Sequence, residues 1–144
     1  KAHELTPDTL NYLAFDESDS LLNTAPVFAW YVTHKILKWV KEQGGVSAMA
    51  ELAKERAHKL YTFIDQSKLF QNTVPVPLRS KLNVPFTMTK HEKEFFEEAA
   101  KHRLFFLEGH RVVGGARASM YNAMPIEGVQ RLIQFMASFE ETYA

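Results

Sequence analysis

The feature that most constrains this chain is a change of hydrophobic period on either side of Asp65-Gln66-Ser67. Before it, Met49, Ala53, Ala57, Leu60 and Ile64 recur at helical spacing, with Glu51, Lys54, Glu55 and Lys59 turned toward solvent. After it, Leu78, Ser80, Leu82, Val84, Phe86 and Met88 alternate with Arg79, Lys81, Asn83, Pro85 and Thr87, the period of a strand with one face mostly apolar. Pro85 has no N–H for a ladder, so it predicts an edge position or a bulge.

The remaining elements follow from their punctuation. Leu10 to Phe15 predicts a short strand among turn formers. Asn23-Thr24 are good helix caps, and Phe28, Val32, Ile36, Trp39 and Val40 form one apolar stripe that ends at Gly44-Gly45. A second helix follows from about Val46 and makes a helical hairpin with the first. Thr89-x-x-Glu92 has the spacing of a capping box and predicts a helix carrying Phe95, Phe96 and Ala99 inward. Leu104 to Leu107 predicts a buried strand, and the alternation of Ala116, Ala118 and Met120 with Arg117, Ser119 and Tyr121 predicts another. A last helix after Asn122 and Pro125 presents Ile126, Val129, Ile133, Met136, Phe139 and Tyr143. This succession argues an α/β or α+β layer, with helices packed on a small sheet.

Composition narrows the function. Lys plus Arg and Asp plus Glu number 17 each, which removes the basic footprint of a nucleic-acid binder or a polybasic membrane-surface protein. The absence of cysteine excludes disulfides, thiolate chemistry and cysteine-type zinc sites, and is compatible with a cytoplasmic location. No apolar run approaches the roughly 20 residues that span a bilayer, and Lys1-Ala2-His3-Glu4 does not open a signal peptide. The loop-rich opening has no start of its own, and predicts a sequence that begins within a larger protein. His34, His58, His91 and His102 show no metal-ligand spacing, so no metal site is expected.

Anion recognition must then be local. The stretch Gly109-His110-Arg111-Val112-Val113-Gly114-Gly115-Ala116-Arg117 offers two guanidinium groups and an imidazole beside glycines that permit close approach of a ligand. Arg111 in the loop and Arg117 on the following strand suit two separate anionic groups, such as a phosphate and a carboxylate. The same residues also make an ordinary solvated hairpin with surface arginines. Asn23-Thr24 has two compatible readings, a helix cap and a phosphate contact at a helix N-terminus.

Three blocks of residues carry a resemblance. Asn23-Thr24-Ala25-Pro26-x-Phe28-Ala29-Trp30-Tyr31 resembles the Asn-Thr-Pro-Pro-x-Phe-x-x-Tyr segment of phosphoserine aminotransferases, and Trp39-x-x-Glu42-Gln43-Gly44-Gly45 follows at the right distance. Arg79-Ser80-Lys81-Leu82-Asn83-Val84-Pro85-Phe86 is similar to the family's Arg-Ser-x-x-Asn-Val-Pro-Phe strand. The block from Gly109 to Pro125, Gly-His-Arg-Val-Val-Gly-Gly-Ala-Arg-Ala-Ser-Met-Tyr-Asn-Ala-Met-Pro, is the most specific. Ala25 stands where a proline is common, and Ala116 where a bulkier residue is common.

The resemblance implies the C-terminal domain of a fold-type I, class-V aminotransferase that uses pyridoxal 5'-phosphate. Residues 1–44 would end the large cofactor-binding domain and residues 45–144 would form the small domain. Asn23 and Thr24 would reach the cofactor of the partner subunit in a homodimer. Arg117 would hold the substrate α-carboxylate, and His110 with Arg111 its phosphate. The implied reaction exchanges an amino group between glutamate and 3-phosphohydroxypyruvate, giving 2-oxoglutarate and phosphoserine, in serine biosynthesis; phosphohydroxythreonine, of pyridoxine biosynthesis, would suit the same residues. The lysine that anchors the cofactor belongs to the upstream domain, and none of the lysines here sits in its motif. Alone, the chain is expected to be inactive. A reading from another class is a free-standing, non-catalytic anion-binding or interaction module.

Overall fold

The computed structural model describes residues 3–144, so Lys1 and Ala2 of the opening segment lie outside the described residues. The internal contacts divide the chain between Glu42 and Gln43.

In the first unit, the strand expected over Leu10 to Phe15 is instead helical. A 3-10 turn over Asp8–Leu10 leads into helix α1, Tyr12–Glu17. The reason is local: the Asn11 side chain accepts a hydrogen bond from Leu13 N at 3.2 Å, and Ser18 Oγ donates to Ala14 O at 2.7 Å. Caps at both ends decide for the helix over a run too short to show its period. Helix α2 spans Val27–Glu42. Its first turn follows Pro26 directly, with Trp30 N donating to Pro26 O, so Asn23 and Thr24 precede the helix by a few residues and do not cap it. None of its residues is buried, and the stripe that begins at Phe28 is exposed along its length or, at Val40, half-buried.

The second unit opens with helix α3, Gly45–Gln66, followed by strand β1, Phe70–Gln71, and strand β2, Asn83–Met88. Helix α4 covers Glu92–Lys101, strands β3 and β4 cover Glu108–His110 and Gly114–Ser119, and helix α5 covers Ile126–Tyr143. The four strands form one antiparallel sheet in the order β1-β2-β4-β3. Its apolar face, with Val84, Phe86, Ala116 and Ala118, meets Leu60 and Ile64 of α3, Phe95 of α4, and Met136 and Phe139 of α5 in one core. Phe70 sits among Phe63, Phe86, Phe95 and Phe139, with ring centroids 5.5–6.4 Å away. Edge-to-face and tilted pairs of this kind add to the area that the rings bury.

Three other expectations are corrected. The strand predicted from Leu78 begins only at Asn83, because Pro75 caps, and Pro77 lies within, a 3-10 turn over Val76–Leu78. Ser80 Oγ then accepts from Leu82 N and Asn83 N, a turn that launches β2. Leu104 to Leu107 is not a strand: Phe106 has φ +62°, which breaks extended geometry, and the strand is the next segment, β3. Helix α4 is entered through His91 with φ +63° rather than a Thr89 cap, and His91 Nδ1 stands 3.5 Å from Glu94 Oε1.

Pro85 lies in β2 opposite Arg117 of β4. Its carbonyl accepts from the Asn72 side chain, on the side where β1 has already ended at Gln71. A strand residue's nitrogen and oxygen point the same way, so the missing N–H faces a local edge.

Candidate functional site

The β3–β4 hairpin is built by its glycines. A Cβ on Gly109 would lie 2.1 Å from Gly114 O and 2.8 Å from Gly115 O. Gly115 has φ +67°, and a Cβ there would stand 2.9 Å from Phe86 O. No other residue allows β3, β4 and β2 to approach so closely while the chain turns. Val113 N closes the turn on His110 O at 2.9 Å, and Arg117 N donates to Leu107 O at 2.7 Å.

His110 and Arg111 are adjacent in this turn, with Val112 and Val113 more than 80% exposed at its tip. Val112 N donates to His110 Nδ1 at 3.3 Å. A neutral imidazole that accepts at Nδ1 carries its proton on Nε2, so His110 presents a donor. Arg117 projects from β4 between the buried Ala116 and Ala118, on the face away from the core. His110 pairs with Gly114 and Glu108 with Ala116, so His110 sits at the turn end of the hairpin and Arg117 farther along β4. The structure brings His110 to Arg111 and holds Arg117 separately on the same hairpin.

Among the described residues, neither Arg111 nor Arg117 has a carboxylate partner. Arg79 shows the contrast. It forms a fork with Asp65 at 2.6 and 2.7 Å, donates through Nε to Val74 O at 3.2 Å, and lies 4.6 Å over the Tyr61 ring. Its hydrogen bonds hold the Asp65 carboxyl below the usual aspartate range, against a smaller opposing effect of burial. Arg79 is committed to structure, whereas the two hairpin arginines are available to an anion.

Asn23 and Thr24 lie in the other unit, exposed in the bend before α2 and with no side-chain hydrogen bond among the described residues. An amide and a hydroxyl of that kind suit a phosphate. An open apolar cleft of about 410 Å³, lined by Phe105, Leu107, Met120, Tyr121 and Leu132 among others, contains none of the five candidate residues.

One buried charged residue, Arg56, is not among the candidates that the sequence motifs single out. Arg56 is 2% exposed and shares the inward stripe of α3 with Met49, Ala53 and Leu60. A long cation on an apolar stripe is the signal that could have found it.

The family profile described as Aminotransferase class-V matches residues 4–132. The chain belongs to the class-V aminotransferases. Among solved structures, this aminotransferase chain is 36% identical to the pyridoxal-phosphate-bound phosphoserine aminotransferase of Trichomonas vaginalis, with a TM-score of 0.86 over 95% of this chain and 40% of that one. It is 35% identical to phosphoserine aminotransferase from Bacillus circulans subsp. alkalophilus, with a TM-score of 0.92 over 100% of this chain and 41% of that one. The corresponding enzyme of Cytophaga hutchinsonii, at 17% identity and a TM-score of 0.73, shares the fold. The fold is that of the C-terminal domain of a fold-type I aminotransferase, and the chain spans about 40% of the length of these relatives. Among the described residues, no helix of this aminotransferase chain is long and apolar enough to cross a membrane.

Proposed function

We propose that this chain supplies the substrate-binding C-terminal part of a pyridoxal-phosphate-dependent transaminase that moves an amino group between glutamate and 3-phosphohydroxypyruvate, yielding 2-oxoglutarate and phosphoserine. The carrying observation is that Arg111 and Arg117, free of carboxylates, stand with a donor-bearing His110 on one glycine-braced hairpin. In this reading residues 1–44 end a large domain and residues 45–144 form the small one. Relatives named phosphoserine aminotransferases, one of them bound to pyridoxal phosphate, support it.

When bound, pyridoxal phosphate withdraws electrons from the substrate's α-carbon, the chemistry a transaminase needs. The residues of this chain bind and orient. Arg117 takes the α-carboxylate with a planar fork of donors, fixing the rotation of the amino acid about its α-carbon. His110 Nε2–H and the Arg111 guanidinium take the phosphate of the side chain. Asn23 and Thr24 contact the cofactor of a partner subunit. The chain alone is inactive, since the anchoring lysine lies outside it.

The test is a pair of variants in the complete enzyme. Arg117→Ala removes a charged contact worth about 2–5 kcal/mol and lowers kcat/KM for every amino-acid substrate, by tens to thousands of times. Arg111→Ala lowers it for phosphoserine and leaves an unphosphorylated amino acid unaffected. Equal losses on both substrates would remove the phosphate from the account of Arg111.

A further inference from the structure

Arg56 does not belong to the hairpin, yet it is the one buried charged side chain among the described residues. Its Nη1 donates to two backbone carbonyls, Asn122 O at 3.2 Å and Met124 O at a shorter separation. Nε and Nη2 are buried with no partner. A guanidinium held in this way is desolvated without a counter-charge, so an apolar side chain would fill the site at lower cost. What an apolar residue cannot do is hold two carbonyls that converge from one turn.

Those carbonyls belong to the corner between β4 and α5. Met124 N closes it on Tyr121 O at 2.9 Å, and Met120 N ties its entry to Leu82 O at 2.7 Å. Ser119 Oγ donates to Asn83 Oδ1 at 3.1 Å one residue earlier. At its other end β4 is fixed by the glycine-braced turn. The corner is therefore the second anchor of the strand that presents Arg117, and Arg56 fastens it to α3.

We propose that Arg56 is a positioning residue: by clamping Asn122 O and Met124 O it fixes the exit of β4, and with it the direction of Arg117. The inference rests on the proposed role of Arg117 in holding the carboxylate. A lysine at this position can donate to both carbonyls through one ammonium, and leaves no planar N–H groups stranded. A methionine fills similar space and donates nothing.

The experiment uses the complete enzyme with Arg56→Met and Arg56→Lys, followed by steady-state kinetics and by hydrogen exchange of the segment 117–125. Arg56→Met is expected to raise KM for phosphoserine about tenfold or more with a smaller change in kcat, and to speed exchange in that segment. Arg56→Lys is expected to restore both. Unchanged exchange in Arg56→Met, or a lower melting temperature with KM unchanged well below it, would overturn the proposal. Should the methionine variant not fold, the lysine variant decides: wild-type KM and exchange support the clamp, and a tenfold rise in KM with unchanged exchange overturns it. Arg117→Ala is run beside them. If it leaves kcat/KM unchanged, the carboxylate assignment fails on its own, while the exchange data still judge the clamp.

Discussion

Gly109 approaches the backbone of Gly114 across the β3–β4 hairpin so closely that a methyl group on the first would stand 2.1 Å from the carbonyl oxygen of the second. The obstruction is backbone, so no rotamer change relieves it. Gly109→Ala is expected to cost about 1–3 kcal/mol, by the same mechanism as overpacking a core. The melting temperature should fall by several degrees for a unit of this size. Thermal melts followed by circular dichroism read this directly. A melting temperature equal to wild type would show that the hairpin opens without cost.

How much of this was legible varies by element. The alternation of Ala116 and Ala118 with Arg117 is visible in sequence because one sheet face is buried, and the structure buries both alanines. Leu10 to Phe15 was not legible as a helix, since six residues carry too little periodicity to outweigh two side-chain caps. The start of β2 was hidden because the period-two pattern runs back through Leu78, where proline geometry overrides it. At the site, residue types pointed to His110, Arg111 and Arg117, but not to the close backbone approach of Gly109 to Gly114 that braces the hairpin, which only the folded geometry sets.

The Asp65–Arg79 pair gives a pH dependence with a defined sign. The folded-state carboxyl is held below the ordinary aspartate value, chiefly by its hydrogen bonds to Arg79. Its contribution is therefore complete above the unfolded-state range, about pH 4, and is lost as pH falls through the depressed folded value. Asp65 is 44% exposed in its side chain, so salt screens the pair and about 0.5–1 kcal/mol is expected. Asp65→Asn should lower stability at neutral pH and flatten its decline in acid. Urea melts at several pH values would expose a parallel shift instead, which contradicts the linkage.

Glu140 ties α5 to the turn after α3. Its carboxylate accepts from Ser67 Oγ at 3.0 Å, Lys68 N at 2.6 Å and Leu69 N at 3.1 Å. Glu140→Ala strands these donors and is expected to cost about 1–3 kcal/mol. Glu140→Gln keeps an acceptor oxygen and should recover about half. Chemical denaturation of the two variants checks the order.

Phe70 is 1% exposed at the centre of the aromatic cluster. Phe70→Ala is expected to cost about 3–5 kcal/mol, because the four surrounding rings cannot all collapse into the space. Phe70→Leu should lose less than half of that. A loss under about 1 kcal/mol for the alanine variant would mean that the cluster repacks freely.

The central claim is that the hairpin reads a substrate with two anionic ends. The most direct measurement is transamination of phosphoserine with 2-oxoglutarate by the complete enzyme, wild type against Arg111→Ala and Arg117→Ala, repeated with an unphosphorylated amino acid. The account predicts that Arg117→Ala impairs both substrates and that Arg111→Ala impairs phosphoserine alone. Turnover of neither substrate by the wild-type enzyme, or two variants as active as wild type, would contradict it.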